Sequence, residues 1–154
     1  MKIRRTFDQF MDFADKASIW RAREQNAQTK LGYAITKVLP RIAAVQRQHA
    51  DLVEDARVEH ASVDEKGLLI TDPGGNYRFK KDEWQKCLKR LRALRGEMLF
   101  EIEPYFATSL PCAENLSEEE REAMLGIVID PDGSAISEPE MTQESVDASP
   151  SSVS

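Results

Sequence analysis

The chain has 154 residues, 41% hydrophobic and 31% charged, with a formal net charge of −6; that suits one domain with appendages and a modest core. No apolar run exceeds a few residues, which argues against a membrane-spanning segment. Six of the 27 acidic residues are Asp130, Asp132, Glu138, Glu140, Glu144 and Asp147, and no Lys or Arg follows Arg121, so residues 1–129 hold 21 charges of each sign and no global field points to nucleic acid or membrane.

The opening Met1-Lys2-Ile3-Arg4-Arg5 is charged like the start of an export signal, but Asp8, Asp12 and Asp15 occupy the stretch where such a signal needs an apolar core. A cytoplasmic location is expected. Thr6 with Gln9 three residues on has the pattern of a capping box. The helix it opens places Phe7, Phe10, Met11, Ala14 and Ala17 on one stripe, and the apolar-poor stretch 19–28 predicts a bend.

A heptad seam follows: Leu31, Ile35, Val38, Ile42, Val45, His49, Leu52 and Ala56 alternate spacings of four and three. Pro40 falls within it and predicts a kink over residues 36–40. The helix is expected to stop before Gly67. Leu68-Leu69-Ile70-Thr71 and Tyr77-Arg78-Phe79 are β-prone and flank the turn signal Asp72-Pro73-Gly74-Gly75-Asn76, which predicts a β-hairpin. Asp82 is then placed to cap a second helix, with Trp84, Leu88, Leu91, Met98, Ile102 and Tyr105 at heptad spacing and Arg95 as the polar intruder.

Two heptad helices joined by a compact hairpin must run antiparallel. Pairing positions that sum to about 143 sets Ala56 by Cys87, Leu52 by Leu91, Val45 by Met98 and Val38 by Tyr105, with His49 and Arg95 about two heptad positions apart. Charge agrees with that register. Residues 51–65 carry six acids against Arg57, and residues 80–95 carry seven cations against Asp82 and Glu83. Exposed pairs of this kind contribute only about 0.2–1 kcal/mol each, so they set orientation more than stability. Beyond the hairpin, Ser117 and Glu120 form a second capping box for a short helix through Leu125. Gly126 is placed to end it, and Ile127-Val128-Ile129 reads as a strand or docked segment. From Asp130 onward the composition predicts a disordered acidic tail.

Candidate chemistry is sparse. His49 and His60, three turns apart on one helix, are too distant to share a metal. Cys87 has Lys86, Lys89 and Arg90 nearby to lower its pKa, but its seam position favours packing. Cys112 and Cys87 make no metal spacing. The Gly74-Gly75 pair lacks the Lys-Ser/Thr and the helix that a phosphate loop requires. The run Lys80–Arg95, seven cations with Trp84 among them, is the one stretch suited to tracking a phosphate backbone, although the acidic end of the first helix opposes it. No catalytic, metal or cofactor site is expected.

Several stretches carry a resemblance: Leu31-Gly32-Tyr33-Ala34, Asp64-Glu65-Lys66-Gly67, Gly75-Asn76-Tyr77-Arg78-Phe79, Glu101-Ile102-Glu103 and Leu116-Ser117-Glu118-Glu119-Glu120. In that order they resemble small phage- and prophage-encoded proteins of unknown function, and the middle of the chain is similar to the helix–β-hairpin–helix arm of prefoldin-like subunits. The resemblance spans about residues 20–129 and implies a mobile-element origin, hence a host cytoplasm, without known catalysis.

Together these readings predict a mainly α fold: an N-terminal helical segment (1–28), a coiled-coil arm with a β-hairpin at its tip (29–110), a short helix with a docked segment (111–129) and the acidic tail (130–154). The expected function is a non-enzymatic interaction, assembly or chaperone-like module. It would act on an unidentified protein partner or as a homo-oligomer joined through the hairpin, away from membranes. Leu69, Ile70, Tyr77, Phe79, Lys86, Lys89 and Arg90 are the candidate interaction residues. The alternative is a nucleic-acid-binding regulator using Lys80–Arg95.

Overall fold

The structure is a computed structural model that describes residues 1–133 and 136–137. It is mainly helical. Strand β1 (Ile3–Thr6) leads into α1 (Phe7–Ala22), a 3-10 turn (Asn26–Gln28) and the long α2 (Lys30–His60). After the tip loop come α3 (Lys81–Gly96), β2 (Leu99–Ile102), β3 (Ser109–Leu110), a second 3-10 turn (Ala113–Asn115), α4 (Glu118–Met124) and β4 (Ile136–Ser137). Among the described residues there are two two-stranded sheets, β1 antiparallel to β2 and β3 parallel to β4.

The predicted caps form as the sequence requires. Thr6 accepts from the Gln9 amide at 3.2 Å while the Gln9 side chain accepts from the Thr6 amide at 2.9 Å. Ser117 and Glu120 repeat the arrangement at 3.1 and 2.9 Å. The second Glu120 oxygen takes Arg23 at 2.6 Å, so one carboxylate closes a helix end and ties it to the residue after α1. Gly126 adopts φ +86 just past α4, and Ile127, Val128 and Ile129 are buried, with the Ile127 and Val128 carbonyls accepting from the Tyr105 and Ala107 amides.

The first helix is buried more broadly than its predicted stripe. Phe10, Phe13, Ala17 and Trp20 are fully covered while Phe7, Met11 and Ala14 are only partly so, because α1 lies against both α2 and α4. The bend after it is held by a polar knot. The Trp20 indole N–H donates to the Asn115 carbonyl at 2.7 Å, and buried Asn26 donates to the Trp20 carbonyl at 2.7 Å and accepts from the Asn115 amide nitrogen at 2.9 Å. Gly32 is required here: a Cβ would stand 2.1 Å from the Asn26 carbonyl oxygen, a backbone atom that cannot give way without moving the turn.

The first half of α2 carries the predicted seam into the main core, where Leu31, Ile35, Val38, Ile42 and Val45 are buried. The helix runs unbroken through Pro40. Its second half pairs with α3 in opposite chain direction, for Cys87 Sγ lies 3.9 Å from the Ala56 carbonyl and His60 lies 2.9 Å from Glu83, both pairs summing to 143.

The second helix is shorter than predicted. It ends at Gly96, the Glu97 and Met98 amides both close on the Ala93 carbonyl, and the chain turns into β2. Phe100 and Ile102 face inward while Leu99 and Glu101 face out, in register with Arg5, Ile3, Thr6 and Arg4. The charged opening residues thus form a strand, with Arg4 paired to Glu101 at 2.7 Å. Met98, at 38% exposed, is not a core partner of Val45, and Tyr105 meets Tyr33, ring centres 5.8 Å apart. Asp82 is not the cap of α3; Lys80 holds that position without a side-chain bond. The predicted tail falls mostly outside the described residues, except that Asp130 to Gly133 are described and Ile136–Ser137 forms β4.

The result is a base and an arm. Between Val45 and Phe100, only Ala56 and Cys87 are fully buried hydrophobic residues among those described. The base holds the core, and the arm is a thin pair of helices.

Candidate functional site at the arm tip

The tip, residues 61–80, is built from one turn used twice. Asp64 Oδ1 accepts from the Lys66 and Leu68 amides at 2.8 and 3.0 Å, and Asp72 Oδ1 accepts from the Gly74 and Asn76 amides at 2.8 and 3.0 Å. In each, a glycine three residues on takes positive φ, +82 at Gly67 and +83 at Gly75, which only glycine adopts without strain. The Asn76 amide, foremost, and the Gly74 amide hold the Asp72 carboxyl below its usual range.

Between the turns the backbone closes on itself. The Ser62 amide donates to the Arg78 carbonyl at 2.8 Å, Arg78 to Ile70 at 3.0 Å, and Ile70 to Ser62 at 3.1 Å. The predicted hairpin forms a short pairing, with the Thr71–Tyr77 bridge flanked by the bonds from the Asp72 amide to the Asn76 carbonyl and from the Arg78 amide to the Ile70 carbonyl, and a second bridge, Val63 with Leu69, lies outside it. A third segment, 62–64, has entered beside the two expected. The backbone groups of Ile70 and Arg78 that edge pairing with another chain would need are already engaged inside the tip.

The side chains build a groove on this platform. It is open, about 520 Å³, and lined by Glu54, Arg57, Gly75, Asn76, Tyr77, Phe79 and Trp84. The Tyr77 hydroxyl donates to Glu54, which pushes its pKa up. The Phe79 and Trp84 rings lie 4.9 Å apart, tilted at 47°, with Trp84 still 36% exposed. Arg57 is exposed and forms no ion pair among the described residues.

Of the predicted interaction residues, Tyr77 and Phe79 line this groove, Leu69 is 40% exposed at the tip, and Ile70 is half-buried. Lys86, Lys89 and Arg90 lie apart from it on α3. Arg90 takes Glu59 at 2.7 Å and holds that carboxyl low, and Lys86 reaches Glu83 at 3.4 Å, whereas Lys89 is exposed. Sequence reasoning missed Glu54 and Arg57, which sit one turn apart on the helix and come to Tyr77 only through the fold. The repeated Asp-x-x-Gly is visible in the sequence, but it marks the two turns and not the pairing of Tyr77 with Glu54, 23 residues away.

Cys87 and the two histidines are engaged elsewhere, whereas the free Cys112 is exposed and far along the chain from the tip. Cys87 is buried and its thiol is pushed up by that burial, outweighing Arg57 and Arg90, so a thiolate is disfavoured. His60 Nδ1 faces Glu83, whose carboxyl it holds low. His49 stacks on Phe7, ring centres 3.7 Å apart, and Arg95 lies over the same Phe7 ring at 5.7 Å while gripping Asp8 at 2.9 Å. The two polar seam residues, expected apart, meet at one aromatic ring. No group of three or more His, Cys, Asp or Glu residues suited to a metal ion occurs among the described residues, and no described helix is long and apolar enough to cross a membrane.

No protein-family profile matches the chain, and neither does any curated protein or solved structure.

Proposed function

We propose that this chain is a non-enzymatic protein-interaction module, of assembly or chaperone-like type, that presents the tip of its arm to a protein partner. The observation carrying this reading is the open groove with Tyr77, Phe79 and Trp84 as walls and, at its edge, Arg57, which has no ion pair among the described residues. Trp, Tyr and Arg are the residue types that dominate binding energy at interfaces. Here the aromatic rings are held in advance, Tyr77 by Glu54 and Phe79 by Trp84, so little side-chain freedom is lost on binding. The second half of α2 with α3 acts as a short antiparallel coiled coil that carries the tip away from the core. The shared sum of 143 for Ala56–Cys87 and His60–Glu83 supports that register. A prefoldin-like, phage-encoded origin is part of the same proposal and rests on the sequence resemblance alone.

The test is affinity capture from the native host with three full-length baits: wild type, F79S/W84S, and K81E/K89E/R92E as a surface control. A protein retained by wild type and the control but lost with F79S/W84S is the expected result, with circular dichroism confirming that the helices persist. Equal retention by F79S/W84S sinks the reading. Self-association through exposed Leu68 and Leu69 is a version of the same proposal, and light scattering showing a strict monomer at high micromolar concentration removes it.

A second reading, nucleic-acid binding through α3, is favoured by one observation. Lys81, Lys89 and Arg92 are exposed on the helix and make no ion pair among the described residues. Binding to duplex DNA that survives K81E/K89E/R92E unchanged counts against it.

A further inference from the structure

The charges around the tip groove are not balanced. Arg57 lines it, is exposed and has no ion pair among the described residues. Lys80, next to Phe79 at the start of α3, is likewise exposed without an ion pair among them. The acids nearby are engaged or turned away. Glu54, the one carboxylate in the lining, accepts from the Tyr77 hydroxyl. Glu83 is held by His60 and Lys86. Asp82 lies roughly 200° around α3 from Trp84, and Asp55 roughly 130° around α2 from the side shared by Glu54 and Arg57, so neither faces the groove.

Arg57 is also well placed. Glu54 raises the Tyr77 pKa and Arg57 opposes it; burial raises that of Cys87, and Arg57 opposes it there too. Its guanidinium therefore stands between the tip loop and α3, beside the aromatic walls.

We propose that the groove takes an acidic peptide segment of a protein partner, with a large apolar side chain against Phe79 and Trp84 and a neighbouring Asp or Glu carboxylate on Arg57. The proposal rests on the reading of the tip as an interaction surface and names the chemistry of what it grips. The rings supply apolar contact area, and the planar guanidinium matches a carboxylate with two parallel hydrogen bonds. Exposed ion pairs add little affinity, so Arg57 selects among apolar segments more than it holds them.

Two other occupants fit less well. Aromatic walls with a carboxylate suit a cationic side chain, but here the carboxylate is taken by Tyr77 and Arg57 repels a cation. A single-stranded nucleic acid needs free ring faces beside a track of cations. Phe79 and Trp84 instead pack on each other, 4.9 Å apart, and Glu54 stands where a phosphate would pass.

Panning a displayed library of random heptapeptides against the full-length chain decides it, with wild type, R57E, R57K and F79S/W84S as targets. Wild type should enrich peptides in which Phe, Trp or Leu neighbours Asp or Glu. R57K should keep that preference, R57E should exchange the acids for Lys or Arg, and F79S/W84S should enrich none of these peptides. By fluorescence anisotropy, a labelled peptide from the enriched set should bind R57E roughly fivefold or more weakly than wild type. The difference should shrink in 1 M salt, and a short oligothymidylate should not displace the peptide. Peptides that depend on Phe79 and Trp84 but are neutral or basic, or whose acids persist with R57E, overturn the proposal and leave the reading of the tip intact. Displacement by oligothymidylate at matched concentration overturns it in favour of nucleic acid. If no enriched peptide depends on Phe79 and Trp84, the proposal falls, and the capture experiment alone judges the tip.

Discussion

His49 illustrates what one ring can do at a junction. It projects from α2 onto Phe7 of α1, with Phe100 of β2 at 6.2 Å and the Arg95–Asp8 pair of α3 and α1 beside it. Its Nε2 is buried with no hydrogen-bond partner among the described residues. Burial, and then Arg95, lower its pKa below the ordinary histidine value, with Asp8 pulling weakly the other way. The unfolded chain, with its histidine near 6.5, therefore binds a proton before the folded chain does. Stability from this site is full above about pH 6.5 and is lost as pH falls from there through the depressed folded value. Urea midpoints measured between pH 7.5 and 5 should drop, and H49F, which keeps the stack on Phe7 without a titrating nitrogen, should flatten that slope. A wild-type slope unchanged in H49F would assign the pH dependence to other groups.

At the scale of elements, the tip is a test of local chemistry against tertiary support. Each Asx turn gives two backbone amides a carboxylate acceptor, and such bonds to a charged group contribute about 1.5–3 kcal/mol where they are shielded, less at an exposed turn. D64A and D72A should each speed hydrogen exchange at the Ile70 and Arg78 amides, which close the ring of three segments, while leaving exchange at the buried base unchanged. Loss of protection at Phe13 or Ile35 as well would mean that the tip is not an independent unit.

What the sequence made legible follows the same division. The two capping boxes, the seam from Leu31 to Ala56 and the docked Ile127–Ile129 could be read because their causes lie within a few residues. The end of α3 could not. Met98, Ile102 and Tyr105 satisfy a heptad, while Leu99 to Ile102 equally satisfy a strand, and the decision belongs to Ile3–Thr6, some 97 residues away. The groove was half visible for the same reason. Tyr77 and Phe79 announce themselves as a hairpin strand, whereas Glu54 and Arg57 look like solvated helix charges until the tip folds back on them.

For the whole molecule, the uneven core has a thermodynamic consequence. The base buries aromatic and aliphatic side chains from α1, α2, β2 and the 105–129 segment in one continuous cluster, while the arm depends on Ala56, Cys87 and partly covered neighbours. Free energy of local opening follows buried apolar contact, so the arm should open before the base. The chain carries its own reporters, because one of its two tryptophans is in each part: Trp20 fully buried in the base and Trp84 36% exposed at the tip. W84F isolates the base signal and W20F the arm signal, though W20F also removes the bond to the Asn115 carbonyl and needs the wild-type far-UV transition as its reference. In urea, the Trp84 transition should have the lower midpoint and the smaller m-value, since the arm exposes less surface on opening. Coincident midpoints and equal m-values from both reporters would show one cooperative unit. In that case His49, Phe7 and Arg95 couple the arm to the base so tightly that a partner gripping the tip pulls on the whole fold.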